Sequence, residues 1–332
     1  MILFIHTGFS TFVKNDYEIL KKYFPVRKFH YKASKKLSIN LLSQIEIFIW
    51  LLKNIWKAQY IYIWFADYHS FLPILFAKLF HKKSFLVLGG YDVTYIPGIR
   101  YGSFSNPLRA FCTKYSMKNA TICLPVSHYV ENEAKKRVVG LNSKVIYNGI
   151  DIAPNDYKNE KENIILTVGK CSSLQRVKLK GVDLFVETAK ALPDYKFIAI
   201  GISKRAEKYL GEIPENVQLI DKLPHEELSD FYKKAKVYCQ FSLFESFGLA
   251  VLEAISFGAI PIISNKGALP EIFGDRGFIL KERSIDKAVK LIEKAMNSPE
   301  SLGKKARERI MKNFSLEKRE NKILSIIKEI NE

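Results

Sequence analysis

Residues 242–263, SLFESFGLAVLEAISFGAIPII, set two carboxylates, Glu245 and Glu253, in an otherwise apolar run that also holds two Phe-Gly pairs. A carboxylate in apolar surroundings is costly unless something polar pairs with it, and the hydroxyls of a ligand would serve. On one continuous helix the eight-residue separation would place the two acids about 80° apart. The residue order argues for two different settings. KVYCQFS reads as a strand, LFES as a turn, FGLAVLEAISFG as a helix ending at Gly258, and AIPII as the next strand. Glu245 then falls in the strand-to-helix loop and Glu253 two turns into the helix. Open parallel sheets bind ligands at the carboxyl edge of their strands. A helix amino terminus at Phe247, Gly248 and Leu249 would offer amide donors and a positive dipole end to a phosphate. The plainer alternative is a Glu253 that faces solvent and a Glu245 that only answers the helix dipole.

The elements that must position these groups are legible as apolar runs alternating with helical segments. Candidate strands are 2–6, 60–65, 84–88, 121–125 and 144–147, then 163–168, 196–200, 217–220, 237–241 and 259–263. Strands rich in Ile, Val and Phe and separated by helices indicate parallel sheets covered on both faces. Two such series in 332 residues imply two doubly wound α/β domains, 1–149 and 150–314. The turn signal Asn148-Gly149 and the polar run to Asn163 mark the linker. Residues 315–332 read as an amphipathic helix capped by Ser315, expected to pack back toward the amino-terminal domain.

Composition excludes several classes. With 48% hydrophobic residues the chain can fill two cores. The four cysteines, Cys112, Cys123, Cys171 and Cys239, have neither disulfide-framework nor zinc spacing, which fits a reducing cytoplasm. The first residues lack a basic leader, and the apolar window 60–80 carries Asp67, His69 and Pro73 where a membrane span would suffer most. Residues 1–149 hold 21 Lys and Arg against 7 Asp and Glu, a net +14, leaving 31 against 27, or +4, for the remainder. That excess favours an anionic partner or simply a lysine-solvated surface. A basic cluster from Lys21 to Lys36 precedes a helical stretch with Trp50 and Trp56. This resembles an interfacial membrane element, with a core-packed helix as the alternative. No nucleic-acid motif or stacking platform accompanies the charge. No G-x-G-x-x-G follows the first strand, which disfavours a dehydrogenase.

The pattern S-x-x-E-S-F-G-L-A-x-L-E-A-x-x-x-G-x-x-P, from Ser242 to Pro261, resembles the signature of retaining GT-B glycosyltransferases of family four, the glycosyl transferases group 1. NKGALPEIFGDRGFIL downstream, VGKCSSLQRVKLKGVDLFVETAKAL upstream and VIYNGID before it are similar to the family in order and spacing. The resemblance implies the GT-B fold, two Rossmann-like domains facing a central cleft, and sugar transfer with retention from a UDP- or GDP-linked donor. The acceptor would be a hydroxyl of a glycan or lipid-linked glycan. It implies that Glu253 holds the ribose, that Glu245 contacts the donor sugar, and that Ser246, Phe247, Gly248 and Leu249 meet the diphosphate or sugar. Lys180 matches the lysine that neutralises the leaving diphosphate, and Lys170 stands where many members have arginine. Arg176 and Lys178 lie close enough in sequence to compete for that duty. No D-x-D pair is present, so no metal and no cofactor are expected.

The amino-terminal half matches the family less well. Gly8 is the single glycine where members carry a Gly-rich turn, and Gly89, Gly90, Tyr91 and Asp92 occupy the place of a histidine often found near the reacting sugar. Asp92 is thus a candidate sugar contact or base, or a turn-forming aspartate. His69 and Tyr91 are candidates for the acceptor side. A cytoplasmic protein, peripheral on the inner face of the membrane if the basic half binds anionic lipid, is the expected setting. A non-catalytic glycan- or nucleotide-binding scaffold of the same fold is the alternative.

Overall fold

The computed structural model describes residues 1–34, 37–152 and 161–332. Lys35 and Lys36 of the basic cluster, and residues 153–160 of the expected linker, lie outside the described residues. The chain forms two compact units, Met1–Gly149 with Leu316–Glu332, and Ile150–Ser315.

Unit one holds strands β1 (Ile2–His6), β2 (Val26–His30), β3 (Tyr60–Trp64), β4 (Lys83–Leu88) and β5 (Ile122–Pro125), all parallel, in the order β2-β1-β3-β4-β5. The inner strands are predominantly apolar because helices cover both faces, and every residue of β1 and β3 is buried. β2, VRKFH, was not expected as a strand. It sits at the sheet edge with Arg27 and Lys28 exposed, so its polar pattern hides it. The expected strand at 144–147 is instead an extended segment that runs along β5 through Lys144 N–H to Cys123 and Ile146 N–H to Pro125.

The terminal helix Leu316–Glu329 contributes Arg319 to the core of unit one. Its guanidinium makes a two-pronged contact with Asp16, at 2.5 and 2.7 Å, and donates to the Ile146 and Tyr147 carbonyls. Tyr62 and Trp64 also donate to the Asp16 carboxylate, so the buried pair has its bonds met.

Unit two holds β6 (Glu162–Cys171), β7 (Lys196–Ile202), β8 (Val217–Ile220), β9 (Ala235–Gln240), β10 (Ile260–Ser264) and β11 (Phe278–Leu280), parallel, in the order β11-β10-β9-β6-β7-β8. Its core gathers Ile165, Phe185, Phe197, Val237 and Ile262. β11 escaped the sequence reading because three residues at a sheet edge leave no periodicity to detect.

Candidate functional site

The loop after β9 and the helix Leu249–Ser256 carry the motif residues of unit two. The helix is shorter than its sequence suggested. Phe247 and Gly248 lie ahead of it, because Gly248 takes a left-handed φ of 94° as the N-cap, and the Val251 and Leu252 amides return to its carbonyl. The helix stops at Ser256, two residues before the predicted Gly258.

Lys180 and Glu245, 65 residues apart in sequence, meet here. The Lys180 Nζ donates to Glu245 Oε2 at 2.6 Å, and both side chains are mostly buried, at 23% and 13% exposure. The geometry arises from two strand ends lying side by side. Lys180 ends the helix Leu174–Lys180 after β6, and the Leu243 N–H bonds the Leu179 carbonyl, tying the β9 loop to it. From the other side the Glu245 carbonyl accepts the Ala268 N–H at 2.8 Å. Gly267 must be glycine for that approach: a Cβ there would lie 2.0 Å from the Glu245 oxygen.

The neighbouring cations divide by helix geometry. Lys178 lies about 200° around the same helix from Lys180. Its ammonium meets Asp183 at 2.7 Å, and Arg283 meets the same carboxylate at 2.5 Å. Burial alone would raise the Asp183 carboxyl, but the hydrogen bonds from Lys178 and Arg283 outweigh it and hold it below the usual range. Arg176 is exposed on that helix, and Lys170 is exposed near the end of β6. Lys180 is therefore the lysine set against the motif loop.

Glu253 accepts a hydrogen bond from the hydroxyl of Tyr232 at 3.0 Å. Burial, then the adjacent Glu253, pushes the Tyr232 phenol well above its ordinary range, so it stays a donor. Ser246 is part-buried and Phe247 is buried, its ring edge-on to Phe314 at 5.7 Å. Sequence reasoning missed Tyr232, whose only signal is an aromatic residue at the last turn of a preceding helix.

The carboxyl edge of unit one is built differently. Asp92 follows β4 and is fully buried, accepting the Ala66, Gly89 and Gly90 amides at 3.2, 3.1 and 2.7 Å. Desolvation raises its carboxyl to about 6 against these bonds. Both oxygens are occupied by backbone, which makes Asp92 the organiser of its own loop. His69 is equally buried. Its Nε2 meets the Trp64 carbonyl at 2.8 Å, and burial lowers its pKa. Tyr91 is part-buried and accepts Arg109 Nη1 at 2.7 Å, while Arg109 also pairs with Asp67, the capping residue of helix Tyr68–Leu79. Gly8, beyond β1, has open space around it. His6, not singled out from sequence, ends β1 buried beside His30, ring centroids 5.0 Å apart. Burial, then His30, lowers it to about 4.

Among the described residues no three His, Cys, Asp or Glu side chains gather as a metal site would require. None of their helices is long and apolar enough to cross a membrane.

Two parallel-sheet units, the second with acids, a lysine and a helix start at one sheet edge, define a doubly wound, Rossmann-like architecture. Residues 151–314 match the family model described as Glycosyl transferases group 1, and the chain belongs to that family. It is 28% identical over 144 residues to a phosphatidylinositol N-acetylglucosaminyltransferase subunit of Arabidopsis thaliana, covering 40% of this chain and 31% of that protein. It is 34% identical over 79 residues to the O-antigen chain mannosyltransferase B of Escherichia coli, 24% of this chain and 18% of that one. These matches span under a third of each relative's length. Sucrose-phosphate synthase from Thermosynechococcus elongatus superposes with a TM-score of 0.81 at 17% identity, over 99% of this chain and 98% of that one. Anabaena HepE, solved with UDP and glucose, gives 0.74 at 14% identity, over 98% and 99%. The shared fold is GT-B.

Proposed function

We propose that the chain transfers a sugar from a UDP- or GDP-linked donor, with retention and without a metal, to a hydroxyl of a glycan or lipid-linked glycan. The observation that carries this reading is the Lys180–Glu245 contact at the carboxyl edge of β9, eight residues before Glu253. Breaking a glycosyl phosphate bond develops negative charge on the departing diphosphate, and a preorganised cation beside a helix start stabilises it. Lys180 takes that role, leaving Glu245 for when the donor enters: the ammonium turns to phosphate oxygen and the freed carboxylate accepts hydroxyl protons of the donor sugar. Glu253, oriented by Tyr232, accepts from the ribose. Ser246, Phe247, Gly248 and Leu249 supply the backbone that faces the diphosphate, and exposed Lys170 adds long-range attraction.

The acceptor side belongs to unit one, where Tyr91 with Arg109, and the open ground at Gly8, suit a polar acceptor better than buried His69 or Asp92. The relatives' names support the acceptor class: one acts on phosphatidylinositol and another on an O-antigen chain. A cytoplasmic setting is part of the same proposal. A panel of UDP- and GDP-sugars, assayed for donor hydrolysis and transfer in chelator, tests the reading. Product release that survives chelator and falls in Lys180→Ala supports it, and strict dependence on a divalent ion rejects it. Nucleotide binding without any turnover would favour the scaffold alternative.

A further inference from the structure

The helix Leu37–Asn54 of unit one faces two ways. Ser43, Ile47, Leu51 and Asn54 are buried along one stripe against the domain. The opposite side should then be polar, as it is on helices that face water. It is apolar instead. Taking Ile47 as the inward direction, Ile45 and Ile49 project within about 20° of directly outward, Leu42 and Leu52 within about 40° and Leu41 within about 60°. Leu42 is 60% exposed and Ile45 56%. The turn Ile55–Lys57 extends the stripe with Trp56, 72% exposed, whose ring meets Phe80 edge-on at 4.8 Å. Leu79, 63% exposed, continues the surface onto the next helix, which packs beside this one.

A contiguous apolar surface of this kind on a folded unit marks an interaction site. Its chemistry selects the occupant. Lys53 and Lys57 are exposed on one flank of the stripe, Lys78 and Lys83 near its end, and residues 1–149 carry a net +14. A second copy of this unit would bring the same excess of positive charge to the contact. An anionic lipid surface brings the opposite charge together with an apolar interior. Spanning is excluded by the buried inner face and by Glu46 and Lys53 within the helix. Lying in the interface, apolar face down and lysines at the headgroups, satisfies both observations.

We propose that the outward face of Leu37–Asn54, with Trp56 and Leu79, seats unit one on an anionic phospholipid bilayer. The proposal stands on unit one and does not depend on sugar transfer. The test is co-sedimentation of the full chain with vesicles of phosphatidylcholine alone or mixed with phosphatidylglycerol. Binding to the mixed vesicles should be at least about tenfold stronger and should weaken with salt. Ile45→Glu with Ile49→Glu, and separately Lys53→Glu with Lys57→Glu, should each cost roughly tenfold or more. Tryptophan emission should shift to the blue when vesicles are added to the unaltered chain, and the shift should vanish in Trp56→Phe. That readout needs no charged substitution, so it decides even where the double variants fail to fold. Equal binding to neutral and mixed vesicles, absence of binding, or a dimer abolished by Ile45→Glu with Ile49→Glu in a chain that ignores vesicles would each overturn the proposal.

Discussion

Glu245 and Asp92 each follow a strand at the carboxyl edge of a parallel sheet, yet they are held in opposite ways. Glu245 keeps part of its surface and is matched by the movable tip of Lys180. Asp92 has no exposed surface and is gripped by three backbone amides. A lysine tip can leave for a phosphate at small cost, whereas backbone donors cannot move without dismantling the loop. The proposed function has the edge of unit two exchange partners, whereas the amides around Asp92 fix the shape of the edge of unit one.

Four changes break or sharpen that contrast. The largest effect is expected from Asp16→Ala, which strands the Arg319 guanidinium inside unit one. Removing one partner of a buried pair costs about 3–5 kcal/mol, read as a lower urea midpoint for unit one. Lys180→Ala should lower the midpoint of unit two by less than Asp16→Ala lowers that of unit one, because water still reaches both tips of the Lys180–Glu245 pair and none reaches Asp16. Its cost should appear in kcat, about 10²–10³-fold, the scale of one lost donor at a developing anion. If stability and not turnover were lost, unit two would resemble unit one and the contrast would fail.

The third change concerns pH. Asp92 is raised from 3.8 to about 6, so between those values the folded unit keeps a proton that the unfolded chain has released. Stability therefore falls as pH rises from about 4 to about 6. His6 is lowered from 6.5 to about 4, so the unfolded chain binds a proton there that the folded unit does not, and stability rises over much of the same interval. The two nearly offset. Asp92→Asn removes the falling contribution and should leave unit one gaining on the order of 2–3 kcal/mol from pH 4 to 6.5, as melting temperatures against pH would reveal. A flat profile in the variant would mean that burial does not shift His6 in the folded unit. The smallest effect is expected from Tyr232→Phe, which removes one hydrogen bond to Glu253. Nucleotide affinity should weaken by about 0.5–1.5 kcal/mol, measured by calorimetry.

Much of the fold was legible because buried parallel strands are continuous apolar runs. β8 appears at its predicted residues and β3 within one residue. The edge strands β2 and β11 were not, since one is polar and the other only three residues long. For the candidate site, spacing distinguished a loop acid from a helix acid. It could not show that Lys180 and not Lys178 faces Glu245, because that choice depends on how a strand 65 residues away returns to the same edge. Nor could it show that Asp92 is closed off by amides, since backbone donors carry no sequence signature.

The central claim is that unit two exchanges the Lys180–Glu245 contact for a nucleotide-linked sugar. Calorimetric titration of the full chain with UDP-glucose and with GDP-mannose, in chelator, tests it most directly. The account predicts saturable binding of one of them, weakened by more than about tenfold in both Lys180→Ala and Glu253→Ala, each variant retaining its melting transition. Binding that requires a divalent ion, or that is unchanged in both variants, would contradict it.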